Sequence, residues 1–219
     1  MPLLKNLPRG QKTALLAFII GGLLTLVAQV GYRFYVDAKK LPDDLVGVVL
    51  PRPRVIPTFE LVDHHGRPFV RSRFQDRWTF MFFGYTHCPD VCPVTMGLMR
   101  DLFTRLETQP EYKDRIQGVF VTIDPKRDTT KLLEEYVPFF NKAFIGVNGS
   151  VEEIERFSKG LGVGVRASPA EADGSYQIAH TSAIYLIDPR GRFHALFQSQ
   201  FHDAEKMALL FSRIVSLYQ

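Results

Sequence analysis

The chain has 219 residues, 46% of them hydrophobic, and includes 18 phenylalanines. This length and apolar content allow one globular domain with a packed core plus an additional segment, and they exclude wholesale disorder. The net charge is +4, and lysines and arginines are spread along the chain without a basic block. The composition therefore gives no indication of nucleic-acid binding, and we expect none.

An uncharged apolar segment lies near the N-terminus, at residues 14–30. Its length is at the short end of the range for a membrane-spanning helix. We therefore predict a transmembrane anchor over residues 14–36, preceded by a short cytoplasmic N-terminus of residues 1–13. A cleaved signal peptide is the main alternative, although no clear small-x-small cleavage site follows the segment. A buried helix of a soluble domain is the third and least favoured alternative, because a helix that is apolar all round is unusual at the N-terminus of a soluble domain.

Basic residues around the apolar segment indicate its orientation only weakly. They comprise Lys5, Arg9 and Lys12 before it and Arg33, Lys39 and Lys40 after it. The two flanks thus carry equal numbers of basic residues, and the positive-inside rule barely distinguishes the two orientations. The basic N-terminus favours the one in which the globular part lies outside the cytoplasm. No long transit region is visible, which favours the bacterial inner membrane and a domain facing the periplasm. Residues 37–56 contain several prolines, and we predict an extended linker there.

Residues 57–219 alternate between strand and helix patterns. The predicted strands are 59–62, 69–70, 78–83, 116–123, 144–147, 176–178, 183–187 and 193–197, and the predicted helices are 92–106, 128–140, 150–161 and 203–217. This order is typical of a thioredoxin-like α/β domain, in which helices flank a largely parallel sheet. The hairpin near the C-terminus makes the predicted sheet mixed.

Cys88 and Cys92 are the only cysteines of the chain, and they lie between the predicted strand 78–83 and the predicted helix 92–106. Residues i and i+4 of a helical turn share one face, about 6 Å apart, which suits a disulfide or two sulfur ligands of one metal ion. A helix N-terminus favours the thiolate, which is both the metal ligand and the nucleophile. The spacing supports metal binding and thiol–disulfide exchange equally, and a stabilising disulfide is a weaker alternative.

The residues around this pair resemble the Sco/SenC family of copper proteins. Phe83–Pro93 reads FGYTHCPDVCP and matches the cysteine motif of that family without a gap. Two further family blocks follow in order, DPKRDT at Asp124–Thr129 and HTSAIYLIDPRG at His180–Gly191. Three ordered blocks make the resemblance specific, and it covers roughly Pro57 to the C-terminus.

This resemblance implies that Cys88, Cys92 and the distal His180 bind copper, as Cu(I) or Cu(II). Thiolate and imidazole ligands also suit copper on chemical grounds. The resemblance further implies a metallochaperone that assists assembly of the binuclear copper site of cytochrome c oxidase. The expected partners are the copper-receiving subunit of that enzyme and a copper donor or a thiol reductant. Ala179 departs from the family, which commonly has an acidic residue there, and this affects the expected electrostatics but not the ligand set.

Other functions stay open at this point. A thiol–disulfide reductase acting on the cysteines of a partner copper protein needs only the redox pair Cys88 and Cys92. A copper-dependent redox sensor or a peroxidase-like enzyme is a third hypothesis. Zinc competes for the same ligands, but structural zinc sites usually have four ligands and the chain has no third cysteine. We assign no other catalytic residue and do not expect a turnover enzyme. Asp124, Arg127 and Asp128 are candidates for an ion-pair network near the site, and a helix cap with a surface ion pair is an alternative role that explains them nearly as well.

Overall fold

The computed structural model describes residues 8–38, 41–172 and 174–218, and the chain divides into two compact units between Asp43 and Asp44. In the first unit, helix α1 spans Arg9–Ala38 and includes the segment predicted as an anchor. Within the described residues, no helix has both the length and the hydropathy required to cross a membrane. The anchor over residues 14–36 therefore stays a prediction.

Ten strands and four helices make up the second unit as far as the structure describes it. The strands are β1 Val49–Val55, β2 Leu61–Asp63, β3 Pro68–Phe69, β4 Trp78–Gly84, β5 Ile116–Thr122, β6 Ile145–Asn148, β7 Val165–Ala167, β8 Ile178–His180, β9 Ile184–Ile187 and β10 Arg192–Phe197. The helices are α2 Val91–Leu106, α3 Thr130–Phe140, α4 Val151–Leu161 and α5 Ala204–Tyr218.

Eight of these strands form one mixed sheet in the order β1-β10-β9-β4-β5-β6-β2-β3, while β7 and β8 pair separately. Strands β4, β5 and β6 run parallel, and β9 and β10 add to them in antiparallel fashion. Every residue of β4 and β5 is buried, as expected for strands covered on both faces. The thioredoxin-like mixed α/β class predicted from the element order is confirmed.

The folded domain begins earlier than the sequence indicated. Within the predicted linker 37–56, Val49–Val55 form β1, which pairs antiparallel with β10. The flanking side chains of Val48 and Ile56 are buried. The prolines of β1 are compatible with this position because an edge strand tolerates residues that lack an N–H donor. Local composition indicated an extended segment correctly, but it carried no information about the distant strand that pairs with it.

Two hairpin turns use the same D-x-x-G-R chemistry, one at Asp63–Arg67 and one at Asp188–Arg192. In each turn a fully buried aspartate accepts hydrogen bonds from two backbone N–H groups and from Nε of the closing arginine, at 2.8–3.0 Å. Gly66 and Gly191 occupy the left-handed region, with φ of 76° and 68°. Each aspartate therefore fixes the register of its hairpin.

Asp188→Asn tests the energetic contribution of one of these turns. Burial acts to raise the pKa of Asp188, but His194 and Arg192 beside it lower that pKa below its usual 3.8. Such a carboxylate stabilises the fold above pH 3.8 and loses this effect as the pH falls through its lower folded-state pKa. We expect a loss of about 2 kcal/mol near neutral pH, because a hydrogen bond to a charged group contributes that much.

The measurement is urea unfolding between about pH 3 and pH 7, the range in which carboxylates with lowered pKa values act on stability. The difference between Asp188→Asn and the wild type should shrink as the pH falls below 3.8. Asp114, an exposed residue, provides the matched control Asp114→Asn. Equal and pH-independent effects of the two substitutions would show that the turn carboxylate does not contribute as argued.

Candidate metal centre

The three predicted ligands come together beyond the carboxyl end of β4. Cys88 lies in the loop that follows β4, Cys92 in the first turn of α2, and His180 at the end of β8. One donor atom from each side chain lies within 4.8 Å of the other two, and no other such group of His, Cys, Asp or Glu occurs among the described residues. The structure therefore brings the three predicted positions together, and their role as metal ligands stays a prediction.

The start of α2 creates different surroundings for the two thiols. Asp90 precedes the helix without capping it through its side chain, so the N–H groups of the first turn are available to other acceptors. Burial acts to raise the pKa of Cys88, but hydrogen bonds from the N–H groups of Asp90 and Cys92 outweigh it and lower that pKa. Cys92 is fully buried, and burial raises its pKa. Cys88 is therefore the more readily ionised and the more accessible thiol.

His180 is held as a neutral imidazole. Burial lowers its pKa. Its Nδ1 lies 3.1 Å from the carbonyl oxygen of Thr181, and because a carbonyl only accepts, Nδ1 carries the proton. The lone pair of Nε2 then faces Sγ of Cys92 at 3.4 Å, where the neutral thiol donates to it. The tautomer that places a free lone pair at the thiols is the one that a metal ligand requires.

A buried carboxylate fixes the loop before Cys88. Asp128 is fully buried and accepts hydrogen bonds from Thr86 N at 3.0 Å, Thr86 Oγ1 at 2.6 Å and Thr122 Oγ1 at 2.7 Å. His87 contacts this group as well, with Nδ1 3.1 Å from Thr86 Oγ1 and 3.6 Å from Asp128. His87 therefore turns towards Asp128.

The charged residues after β5 divide between two roles. Arg127 pairs with Asp124, whereas Asp128 holds the loop described above. His64, in the turn after β2, is buried and accepts a hydrogen bond from Gly146 N at 2.7 Å. The turn sequence around His64 carries no sign of this contact, which depends on the pairing of β2 with β6.

The strand pair that contains His180 was not predicted correctly from the sequence. Strand β7 was not predicted, and β8 extends to His180 instead of ending before it. All three residues of β7 are exposed, so the strand lacks the apolar alternation on which a sequence-based assignment depends. The contact between Tyr85, which follows β4, and Gln177, which precedes β8, was likewise not predicted.

A mixed α/β domain that brings two thiols and an imidazole within 4.8 Å beyond a central strand belongs to the class of thioredoxin-like proteins with a potential metal site. The sequence profile of the SCO1/SenC family matches residues 49–216 of this chain. The chain therefore belongs to the SCO1/SenC family.

Relatives with similar sequences occur in bacteria and in mitochondria. A candidate copper-binding protein of Stutzerimonas stutzeri is 39% identical over 155 residues, which are 71% of this chain and 74% of the relative. The mitochondrial SCO2 homologue of Mus musculus is 37% identical over 135 residues, or 62% of this chain, and the match spans only 52% of that relative. The structure of ScoI from Bradyrhizobium japonicum with copper bound superposes with a TM-score of 0.64 at 30% identity, covering 72% of this chain and 98% of that one.

Proposed function

We propose that this chain is a copper metallochaperone that binds one copper ion through Cys88, Cys92 and His180. The observation that carries the proposal is the convergence of their three donor atoms within 4.8 Å. Two thiolates and one imidazole suit Cu(I), and Cu(II) is accommodated when a further ligand joins them. The copper-bound relative from Bradyrhizobium japonicum supports copper over zinc as the metal.

The recipient that we propose is the copper-receiving subunit of cytochrome c oxidase, whose binuclear copper site this chain would help to assemble. Membership of the SCO1/SenC family supports this role. The unequal burial of the thiols supports delivery by ligand exchange. A partner's thiol reaches the half-buried Cys88 first, while the fully buried Cys92, together with the half-buried His180, retains the copper until a second ligand arrives.

His180→Ala tests the ligand set. The full chain, reduced and free of metal, is titrated anaerobically with Cu(I) in competition with a chelator. Loss of residues that merely support metal ligands costs about 10- to 100-fold in affinity, so we expect loss of this ligand to cost about 100-fold. His65→Ala is the control, because His65 is half exposed and pairs with Glu134 away from the thiols. Equal affinity of His180→Ala and the wild type would contradict the proposed site.

A thiol–disulfide reductase is the second candidate, and the contrast between the two cysteines favours it. The Cys88 thiolate would attack a partner disulfide, form a mixed disulfide and release one partner thiolate. Cys92 would then attack Cys88, which releases the second partner thiol and leaves a Cys88–Cys92 disulfide. In this case His180→Ala should retain disulfide reduction, whereas either Cys→Ser substitution should abolish it. Copper binding that depends on His180 with negligible disulfide reduction favours the metallochaperone.

We also propose that residues 14–36 anchor the chain in a bacterial inner membrane, with residues 44–219 in the periplasm. The uncharged run at residues 14–30 and the exposed apolar side chains of Phe18 and Leu24 in α1 support this arrangement. Cell fractionation tests it: an anchored chain stays with the membranes after alkaline carbonate washing. Recovery in the soluble fraction would contradict the anchor.

A further inference from the structure

The hairpin that carries His180 stands apart from the main sheet. Strands β7 and β8 pair only with each other, with Val165 opposite His180 and Ala167 opposite Ile178. The hydrogen bond from Thr181 N to the carbonyl oxygen of Gly164, at 3.1 Å, is also internal to this hairpin. The ladder of the main sheet therefore does not determine where His180 lies, and side-chain contacts must position the hairpin over the thiols.

Tyr85 provides the first of these contacts. It follows β4 directly and is only 2% exposed. Its hydroxyl donates to Gln177 Oε1 at 2.8 Å and accepts from Ile178 N at 3.2 Å. Its carbonyl oxygen accepts from Cys88 N at 3.2 Å, and its ring meets the ring of His180 edge-on at 6.1 Å. Tyr85 thus connects the loop of the first cysteine to the strand of the histidine.

Arg127 provides the second contact from the end of β5. Its Nη1 donates to the carbonyl oxygen of Tyr176 at 3.1 Å, and its guanidinium lies 3.6 Å from the centre of the Tyr176 ring. Asp124 contacts both residues: it pairs with Nε of Arg127 and accepts a hydrogen bond from the Tyr176 hydroxyl at 2.7 Å. Three consecutive residues, 176–178, are therefore tied to the ends of β4 and β5.

We propose that Tyr85 and Arg127 are positioning residues for His180, and that they hold the β7–β8 hairpin so that the imidazole joins the two thiols. The group formed by Tyr85, Asp124 and Arg127 is termed the hairpin clamp. This inference rests on the proposed copper site and deepens it: the third ligand depends on the clamp, and the contacts of Arg127 are with Tyr85, Asp124 and Tyr176 instead of with the two cysteines. Loss of the clamp should convert the site into a two-thiolate site with a loosely held histidine.

A double-mutant cycle on the full chain tests this dependence. Supporting residues of metal sites typically contribute 10- to 100-fold in affinity, so we expect Arg127→Gln to weaken Cu(I) binding by about 10-fold. Combined with His180→Ala, it should add no further loss, because the clamp acts through His180. Arg156→Gln, which removes an exposed arginine paired with Glu153 on α4, is the matched control and should change nothing. An equal loss in both backgrounds, or no loss in either, would overturn the proposal.

Hydrogen exchange of the metal-free chain tests the clamp without copper. In Arg127→Gln, and in Tyr85→Phe, which keeps the ring and removes the hydroxyl, amides of residues 164–168 and 177–181 should exchange about 10-fold faster, as in a locally opened segment. Amides of β4 and β5 should keep their protection, which shows that the fold is intact. Unchanged exchange in the hairpin would overturn the proposal. If the wild type binds no copper, the metallochaperone proposal fails, and this experiment alone decides the clamp.

Discussion

Replacing Cys92 with serine is expected to lower copper affinity by more than about 100-fold. A structural zinc site with four thiolate or imidazole ligands binds its metal with roughly 10–16 kcal/mol, so one ligand accounts for about 2.5–4 kcal/mol. A serine hydroxyl is a hard, neutral donor that Cu(I) does not favour. Cys92 is also the buried member of the pair, and its Sγ lies 3.4 Å from Nε2 of His180. Its substitution therefore removes the sulfur donor that lies beside the imidazole.

Cys88→Ser is expected to weaken binding by a similar amount for the same chemical reason. The measurement is anaerobic competition between each variant and a Cu(I) chelator, with urea unfolding as the check that the fold persists. Since Cys88 is only half-buried, its substitution should leave stability nearly unchanged. Tight stoichiometric copper binding in either serine variant would contradict the proposed ligand set.

Gly84→Ala is expected to disturb the fold and the site together. A Cβ atom at this position would lie 2.9 Å from Sγ of Cys92 and 2.9 Å from ring carbons of Phe82 and Phe120. Overpacking of this kind costs typically 1–3 kcal/mol, because buried neighbours have no free space into which they can shift. The displaced Sγ should also bind copper less tightly. Urea unfolding and the chelator competition measure the two effects.

Gly97→Ala is the matched control for this substitution. A Cβ atom at Gly97 would meet nothing within 4 Å, and the residue lies inside α2. Alanine is favoured over glycine in helices by roughly 0.5–1 kcal/mol, so this variant should be slightly more stable than the wild type. If Gly84→Ala proved as stable as Gly97→Ala, the close packing of Cys92 against the end of β4 would be refuted.

The central strands and most helices could be predicted from local sequence because their own residues carry the signal. The run WTFMFF at β4 is apolar at nearly every position, which is typical of a strand buried on both faces, and the structure buries all of β4. Helices α3 and α4 begin after Thr129 and Ser150, whose side chains cap them as N-cap residues do.

The ligands were predicted in a different way. The i, i+4 spacing alone indicated that Cys88 and Cys92 lie together, but it left metal binding and disulfide exchange equal. His180 was proposed from the family resemblance, because no local pattern relates it to cysteines 88 and 92 residues earlier in the chain. Its convergence with the thiols is a tertiary property that follows from the placement of the β7–β8 hairpin.

Features that depend on distant partners were missed for the same physical reason. Strand β1 contains prolines and looks like a linker until its pairing with β10 is known. The contact between Tyr85 and Gln177 joins residues 92 positions apart, and neither residue is unusual in its local context. His64 is buried only because β2 pairs with β6.

X-ray absorption of the chain loaded with one equivalent of Cu(I) tests the central claim most directly, since it counts the donor atoms around the metal. For the wild type, the proposed site predicts two sulfur donors and one nitrogen donor from a single chain. His180→Ala should lose the nitrogen and retain both sulfurs. A site with sulfur donors alone in the wild type, or with more than two sulfurs through sharing between chains, would contradict a copper centre built from Cys88, Cys92 and His180.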